Sequence, residues 1–546
     1  APANSVDLFS NYTNCTEINN LEMLDTSKVT SMMYMFHLCN NLTKVNVSNF
    51  DTSKVTTMYG MFGYCSKLTS LDVSNFNTSN VTNMFAMFGS CRSLTSLDVT
   101  NFDTSKVTSM LCMFTDCRSL TSLDVSNFNT SNVTDMKEMF SNCRSLKELD
   151  LSSFDTSKVT TMNSMLSNCG SLTNLNVSSF NTSKVTDMSL MFASCSSLTN
   201  LDVSNFNTSN VTTFAAMFST CSSLENLNLA TFDTRNARTI GFMFYNCSSL
   251  TNVVVTGTNF RFTKLDHTTA GITGTYESLD INCVFAKCSS LTGIDLSSWN
   301  ITASENMNEL FADCTNLKSI VLGRNFAALK GADMFKNCDN LRAIITKRTT
   351  PLTLATGTGA ETVGVNNPKV LYVETKQLES SFESASNYAS VFGADRIRPI
   401  LGVAGDNPAK VSLNGIYDET KDAGATIAGF TKAESSEYTQ YGYNYTTSGL
   451  PVDTTSVGTK QVTYTLTKTE NGTTTIGMTA TRDVKVVGVP MLMGRETADS
   501  VNGNTVYYAI GAKRSGNKKY TSDLISTITF VNNINIPTTA EANWDV

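Results

Sequence analysis

The sequence has few charged residues and no long apolar run, and both absences exclude classes of protein. Charged residues make up 16% of the 546 residues, against roughly 25% in an average soluble protein, so Ser, Thr and Asn must supply most of the polar surface. The net charge of −7 gives no basic footprint for nucleic acid or an anionic membrane surface. No segment approaches the roughly 18 apolar residues that a membrane-spanning helix needs. The first residues, APANSVDLFS, also lack the basic and apolar parts of a signal peptide.

Patterns for catalysis and metal binding are scarce as well. The chain has only two histidines, and no C-x-x-C pair occurs among its cysteines, which argues against zinc. It contains no phosphate-binding loop, no G-x-S-x-G and no H-E-x-x-H pattern, and nothing marks a Ser–His–Asp arrangement. We therefore expect a protein that is not an enzyme and has no cofactor, with calcium as the one metal to consider.

The cysteines mark an internal repeat. The chain has 15 of them, and from Cys39 to Cys247 a cysteine recurs every 26 residues. A fixed period of this size is typical of a solenoid, in which stacked units share one core that a single unit could not bury. None of the eight prolines lies between Pro2 and Pro351, as expected where backbone N–H groups are needed in a ladder.

Each unit predicts a strand, a polar turn and a short helical turn. In the unit at 65–90, Leu71 and Val73 alternate as on a strand with one buried face. The segment NFNTSN at 75–80 is rich in residues that hydrogen-bond their own backbone in turns. The apolar residues of NMFAMF at 83–88 have the i, i+3, i+4 spacing of a short helix or 3₁₀ turn. The predicted fold class is an α/β repeat with a parallel sheet and short helical turns.

The repeated text MFxxCxSLTSLDVSNFDTSKVTxM, followed from Met61, resembles a leucine-rich repeat, and more narrowly the BspA-like leucine-rich repeat surface proteins of bacteria and some protozoa. The resemblance covers residues 1–402. It implies an extracellular, cell-surface adhesin or binding protein that presents a solenoid to protein or glycan on host or neighbouring cells. The alternative is a structural subunit of a surface layer, sheath or filament, which would self-associate. In both cases no nucleic acid partner and no membrane span in this segment are expected.

The series of repeats has one insertion and is followed by a predicted C-terminal cap. An insertion at 256–282 stretches the spacing between Cys247 and Cys288 to 41 residues. Residues 367–400 read as a strand, an amphipathic helix and a strand, and resemble the C-terminal cap of the same family. Such a cap is needed because the last unit would otherwise expose its core.

The rest of the chain has a different composition. Residues 403–489 carry alternating stretches, and Asn471-Gly472 between two of them is a hairpin signal. This segment resembles the bacterial immunoglobulin-like modules that serve as stalks, and we expect an all-β sandwich. Residues 490–546 read as the start of a further domain or cap, which leads us to expect that the chain is a segment of a longer protein.

The first candidate binding surface is a row of acidic residues on the predicted sheet. The letter between the two inward strand residues is Asn or Asp in successive units, and stacking would align these side chains. One interpretation is a docking face for a basic partner or a Ca²⁺ site, since Ca²⁺ takes several oxygen ligands. The other is a solvated edge, in which the Ser or Thr two residues later supplies hydrogen bonds. The acidic candidates are Asp72, Asp98, Asp124, Asp150 and Asp202.

The second candidate is the insertion, because insertions in solenoids form loops and loops often carry function. A neutral surface loop is the alternative. Its aromatic and basic residues, of the types favoured at interfaces, are Phe260, Arg261, Phe262, His267 and Tyr276.

For the repeat cysteines, redox or metal chemistry is one interpretation and a ladder of small buried thiols is the other, which we favour because free cysteine is among the most buried residues. The cysteines assigned to this structural ladder are Cys65, Cys91, Cys117, Cys143, Cys169, Cys195 and Cys221. The methionines and phenylalanines beside them are assigned to the core.

Overall fold

The structure is a computed structural model of the chain, and it divides into two units, Ala1–Arg398 and Pro399–Val546. The residues that it describes are 1–255, 280–301, 307–326, 328–329, 331–354, 370–373, 376–383, 397–412, 414–470, 472–487, 491–495 and 505–509. In this part of the chain no helix is long and apolar enough to cross a membrane.

The first unit is a solenoid whose rungs share one hydrophobic core. A single buried cluster extends from Leu21 to Ile397, and the side chains at the inward-facing positions of the repeat are almost fully buried along it. The phenylalanines before the cysteines stack from rung to rung, with ring centroids of Phe62 and Phe88 5.9 Å apart and their planes 1° from parallel. A rung therefore buries its apolar face only against its neighbours, which is what makes the stack cooperative.

The segment before each cysteine forms consecutive turns, so the predicted helical turn is not confirmed. In the rung that ends at Cys65, three overlapping i to i+3 turns begin at Met58, Gly60 and Phe62. Gly60 and Tyr64 have φ angles of 57° and 64°, in the left-handed region that a type II turn requires at its third residue. We call these stacked segments, equivalent to residues 59–64, the turn stack.

The turn stack also carries the most regular hydrogen bonding between rungs. Alternate N–H groups donate to carbonyls of the next rung, as from Gly60 to Phe85 at 2.7 Å and from Phe62 to Met87 at 2.9 Å. The remaining N–H groups close the turns inside the rung. The i, i+3, i+4 apolar spacing arises here because the turns bury the same residues that a helix would bury, so the pattern alone could not separate the two.

Next to the turn stack, one residue per rung forms a parallel bridge to the next rung. This line of bridges is continuous across the interruption and joins Asn4, Ser31, Thr57, Asn83, Ser109, Asp135, Thr161, Asp187, Thr213, Thr239 and Asp280.

The predicted parallel sheet is regular only in the second half of the solenoid. In the earlier rungs the strand letters alternate between buried and exposed as predicted, but isolated bridges such as Asp150 to Asn176 replace a full ladder. Side chains occupy the backbone groups there: Asp72 accepts the N–H of Ser74 at 3.0 Å, and Asn75 donates to the carbonyl of Val47 at 3.2 Å. Local side-chain bonds of this kind compete with a strand ladder.

Regular strands follow towards the end of the first unit. Strands β1 and β2 pair in parallel, and β3, β4, β6, β8 and β9 lie in that order in one sheet, with parallel pairing from β3 to β8. Strands β5 and β7 form a second parallel pair. The bounds are β1 Asn226–Asn228, β2 Asn252–Val254, β3 Gly293–Leu296, β4 Ser319–Leu322, β5 Ala328–Leu329, β6 Ala343–Thr346, β7 Thr353–Leu354, β8 Val370–Val373 and β9 Ile397–Pro399.

The elements expected of the C-terminal cap are present. After β8, helix α1 spans Lys376–Glu383, and β9 then joins the sheet beside β8. Phe382 of α1 is fully buried in the solenoid core, and Leu378 packs against that core. The cap thus covers apolar side chains at the end of the stack. A 3₁₀ helix at Leu21–Met23 lies near its beginning.

The second unit is mostly β. Strands β11, β15, β14 and β13 form a four-stranded sheet, β10 pairs with β12, and β16 pairs with β17. The two longest strands are antiparallel up to the pair Glu470 and Thr473, which is the predicted hairpin. These sheets do not confirm the immunoglobulin-like sandwich. The bounds are β10 Leu401–Val403, β11 Ala409–Ser412, β12 Ala425–Ile427, a 3₁₀ helix Lys432–Glu434, α2 Ser436–Thr439, β13 Tyr443–Ser448, β14 Gly458–Glu470, β15 Thr473–Val487, β16 Met491–Arg495 and β17 Thr505–Ala509.

A buried arginine organises the interior of the second unit. Arg482 on β15 is 1% exposed, and its Nε lies 2.9 Å from Asp422 Oδ1 and 3.0 Å from the hydroxyl of Tyr464. Its Nη2 atom donates to the carbonyls of Ala404 and Gly424. The buried charge is therefore paired and hydrogen-bonded, as a low-dielectric site requires.

Candidate binding surfaces of the solenoid

The predicted acidic row lies on the surface of the solenoid. We call the exposed strand positions of the rungs, equivalent to Thr95, Ser96 and Asp98, the sheet face. Asp72, Asp98, Asp124, Asp150 and Asp202 are all exposed on it, one per rung.

Each carboxylate of the row is fixed by its own turn. The backbone N–H of Thr100 donates to Asp98 Oδ1 at 3.0 Å and its hydroxyl donates to the same oxygen at 2.6 Å. The backbone N–H groups of Ser126 and Ser152 likewise donate to Oδ1 of Asp124 and Asp150, both at 2.9 Å. These bonds are those of the solvated-edge interpretation, and they hold all the side chains of the row in one orientation.

The same hydrogen bonds keep the row ionised. They lower the pKa of Asp98, chiefly through the Thr100 side chain, while the neighbouring charges of Asp124 and Asp72 act in the opposite direction. The pKa of Asp124 is likewise lowered by the bonds from Ser126, against repulsion from the next aspartate. The sheet face therefore carries a line of negative charges at neutral pH.

Metal binding by this row stays a prediction. Within the described ranges, no group of three or more His, Cys, Asp or Glu is arranged to hold a metal ion. An open depression on the sheet face joins Asp202 to asparagines of the next two rungs, namely Asn226, Asn228 and Asn252.

The insertion cannot be related to the acidic row, because Phe260, Arg261, Phe262, His267 and Tyr276 lie outside the described residues. The proposed binding role of this loop stays a prediction.

The repeat cysteines lie inside the solenoid. The thiol of Cys117 donates to the carbonyl of Phe88 in the preceding rung at 3.2 Å, and the same bond recurs along the stack. Burial raises the pKa of the Cys117 thiol to about 12, so it is protonated at neutral pH. The other cysteines of the assigned ladder are also buried: Cys65, Cys91, Cys143, Cys169, Cys195 and Cys221.

The sequence interpretation missed a cluster of aromatic rings on the turn stack. The ring centroids of Tyr34 and Tyr59 lie 5.0 Å apart, and those of Tyr59 and Phe85 lie 4.3 Å apart. On the other side of Tyr34, His37 lies at 4.5 Å and itself contacts Tyr64 at 5.5 Å. We call Tyr34, His37, Tyr59, Tyr64 and Phe85 the aromatic cluster.

Two glycines make room for this cluster. A Cβ added to Gly60 would lie 2.6 Å from the ring of Tyr34, and one added to Gly63 would lie 2.9 Å from the ring of His37. The two rings therefore pack closely against glycine, where any larger residue would collide with them. Desolvation by burial raises the pKa of Tyr34 to about 12 and lowers that of His37, so both rings are uncharged at pH 7.

A signal for this cluster is present in the repeat itself. The sheet face varies only between Asn and Asp at its acidic letter, whereas the exposed turn positions change type from rung to rung. At the position of Tyr59, successive rungs carry Phe85, Leu111, Lys137, Asn163 and Ser189. The sheet face also changes type in places, for example at Lys147 and Glu148, so the signal is the group of aromatic residues at turn positions and not variation as such.

Comparison with known families agrees with this architecture. A model described as Mycoplasma protein of unknown function, DUF285, matches residues 4–120, 91–175 and 168–275. A model described as BspA type leucine rich repeat region, with six copies, matches residues 243–352. Among curated proteins, none matches the chain. The two family models cover the rungs of the solenoid between them: residues 243–352 belong to the BspA-type leucine-rich repeats, and the rungs before them match the DUF285 model.

Proposed function

We propose that this protein is a non-enzymatic, extracellular binding protein that attaches to protein or glycan on a host or neighbouring cell. The observation that carries the proposal is the aromatic cluster, in which Tyr64 is 46% exposed although the ring packs against His37. Tyrosine rings held rigidly at a surface supply much contact area at little cost in conformational entropy, and they dominate binding energy at interfaces. The family of repeats to which the rungs belong agrees with a surface location.

The proposed partner binds flat on the turn stack. Between Tyr34 and Phe85 the rings span three successive rungs, so they cover a patch rather than line a pocket. The rings bring polar atoms to this patch through their hydroxyl and imidazole groups. A protein loop or the C–H face of a sugar ring fits such a surface, because both combine apolar contact with hydrogen bonding.

Replacing two tyrosines with serine tests this proposal. Serine is the native occupant of the Tyr59 position at Ser189 and of the Tyr64 position at Ser90, so Tyr59→Ser with Tyr64→Ser should leave the rungs intact. Binding of the labelled chain to cultured epithelial cells, measured by flow cytometry, should fall about tenfold or more. The matched control is Lys137→Ser, which changes the Tyr59 position outside the cluster.

Two outcomes would contradict the proposal: cell binding that the double variant leaves unchanged, and cell binding that Lys137→Ser lowers to the same extent. Prior removal of surface proteins or surface glycans from the cells then separates the two partner classes. Variants with Asp98→Asn and Asp124→Asn test in the same assay, with and without calcium, whether the acidic row contributes.

A second candidate function is that of a structural subunit in a surface layer, sheath or filament. It is favoured by two rows of opposite charge that three successive rungs carry, namely Arg92, Arg118 and Arg144 and, six residues later in each rung, Asp98, Asp124 and Asp150. For residues 403–489 we propose an immunoglobulin-like spacer module, supported by the antiparallel pairing of β13, β14 and β15.

A further inference from the structure

Arginine has an unusual distribution in the solenoid. The first 234 residues contain three arginines, Arg92, Arg118 and Arg144, and each directly follows the repeat cysteine in one of three successive rungs. All three are exposed. In the other rungs from Cys39 to Cys314 this position holds an uncharged residue such as Ser66 or Ser196. We call these three residues the arginine row.

A buried aspartate holds two members of the row in place. Asp116 is 8% exposed and accepts from Nε of Arg92 at 2.7 Å and from Nε of Arg118 at 2.5 Å. The Nη atoms of these two arginines make no hydrogen bond or ion pair among the described residues. Arg144 makes one long bond of 3.4 Å to Asn142. The row therefore presents oriented guanidinium groups with free donors, and Asp116 compensates one of its three charges.

The three rungs with an arginine also have an aspartate at the exposed strand position. Asp98, Asp124 and Asp150 each lie six residues after the arginine of their own rung. Their Oδ1 atoms accept from the following Ser or Thr, whereas their Oδ2 atoms accept no hydrogen bond from the described residues. Each of these rungs thus has a cation at one edge of the sheet face and an anion further along it.

The charges of both rows have the same spacing. The backbone N–H of Thr121 donates to the carbonyl of Thr95 at 3.4 Å, and that of Lys147 donates to Thr121 at 3.5 Å, so the three rungs are in register. Equivalent residues are therefore about 4.8 Å apart along the stack. Within a rung, six extended residues separate the two charges by at most about 20 Å.

We propose that two copies of the solenoid pair through the sheet face, with the arginine row of each opposite the acidic row of the other. A two-fold axis parallel to the stack places each rung opposite the same rung of the second copy. The operation exchanges the two edges of the face, so Arg92 of one copy meets Asp98 of the other. All three charge pairs form twice, because a two-fold interface uses the same patch on both subunits.

A second copy fits this surface better than an unrelated polyanion for two reasons. Its charges have the spacing of the row because both derive from the same rung, and it supplies a complement to the acidic letters as well as to the arginines. The uninterrupted rungs from Cys39 to Cys247 extend for eight repeats of 26 residues. At about 4.8 Å per rung and about 20 Å across, the face offers about 800 Å² per copy, the size of a standard interface.

The pairing should be weak and dependent on salt. Apart from the two rows, the face is mainly uncharged Ser, Thr and Asn, with Lys147 and Glu148 as the charged exceptions in these three rungs. Exposed ion pairs are strongly screened once ionic strength shortens the Debye length. The pairing concerns the second candidate function and does not rest on ligand binding by the aromatic cluster, so either can fail without the other.

Sedimentation of the full chain at low and high salt tests the proposal. We expect a dimer at about 20 mM ionic strength and a monomer above about 500 mM, since screening is then nearly complete. The variant Arg92→Ser, Arg118→Ser, Arg144→Ser should weaken dimerisation about tenfold or more at low salt. The variant Asp98→Asn, Asp124→Asn, Asp150→Asn should do the same. Both use residues native to these positions in other rungs, where Asn176 accepts from Ser178 as the aspartates do.

Mixing the two variants provides the decisive control for folding. In the mixed pair one set of three arginine–aspartate contacts is restored, so the mixture should dimerise more strongly than either variant alone. A monomer at low salt at 0.2 mM chain, or a dimer that neither variant weakens, would overturn the proposal. So would a wild-type monomer that binds heparin through the three arginines, because that result assigns the row to a polyanion.

Discussion

Cysteine recurs at one corner of every rung because that corner needs a small side chain that can donate. The carbonyl of Phe62 already accepts the N–H of Cys65 in its own rung and has one lone pair left, and Cys91 of the next rung supplies its thiol at 3.2 Å. Alanine would fill less of the space and leave this acceptor without its second donor. The period of the sequence is therefore most visible at the residue whose environment is most uniform.

Burial of the thiols makes a prediction about pH. Burial raises the pKa of Cys117 and Cys195 to about 12, whereas an unfolded thiol titrates near about 8.5. Between these values the unfolded chain has lost protons that the folded chain keeps, so stability falls as pH rises. Below about pH 8 the thiols are protonated in both the folded and the unfolded chain, so they do not make stability depend on pH. The urea midpoint should be constant from pH 6 to 8 and drop by pH 9.5.

Thiol labelling checks the same burial independently. In the native chain at pH 8, a thiol reagent should react mainly with Cys15, which is only partly buried. Cys112 is also partly buried but should react slowly, because burial and the neighbouring Glu138 raise the pKa of its thiol to about 12. Rapid labelling of Cys117 without denaturant would contradict the burial argument, as would a urea midpoint that does not change up to pH 9.5.

Among the structural elements, the turn stack requires a left-handed backbone conformation, with positive φ, at two positions in each rung. These positions are filled by residues as different as Tyr64, Leu190 and Asn168, with φ angles of 64°, 57° and 59°. Such angles are unfavourable for residues other than glycine, asparagine and aspartate. The hydrogen bonds to the next rung offset this cost, for example that from Leu190 to Ala215 at 2.9 Å.

A substitution pair at Leu190 tests this interpretation. Its side chain is 40% exposed, so changing it removes little buried surface. Leu190→Val should lower the free energy of unfolding by about 1–2 kcal/mol, because a β-branched residue is strongly disfavoured at positive φ. Leu190→Asn should be neutral or slightly stabilising. Urea denaturation measures both, and equal stability of the two variants would exclude the left-handed conformation at this position.

At the scale of the whole molecule, the solenoid behaves as a stack of interchangeable units. Deletion of residues 170–195 removes one full period and joins Cys169 to Ser196, which restores the normal succession of letters. Because each rung contacts only its neighbours, the shortened chain should fold with the same circular dichroism spectrum per residue. Its urea m-value should decrease in proportion to the lost surface.

The matched control deletes half a period, residues 170–182. This deletion places turn letters against strand letters at the junction, so the rungs on its two sides can no longer share a core, and cooperative unfolding should be lost. If both deletions behaved alike, the stacked-rung description of stability would be wrong.

The period of the repeat, its inward-facing positions and the family of the repeats follow from the amino-acid sequence without any structure. Alternation at Leu71 and Val73 and the position of Cys65 recur unchanged in rung after rung, so local pattern and burial coincide. A cap was expected on a different ground, since the last rung of a stack would otherwise expose its apolar side chains.

The contacts of backbone and surface groups, by contrast, depend on how the rungs stack. The partner of Gly60 in the turn stack is Phe85, 25 residues away, and no local pattern distinguishes this pairing from a helical turn. The aromatic cluster and the sharing of Asp116 by Arg92 and Arg118 likewise depend on contacts between rungs. Local periodicity reports which side chains are buried, whereas hydrogen-bond partners and surface neighbours are fixed only when the rungs stack.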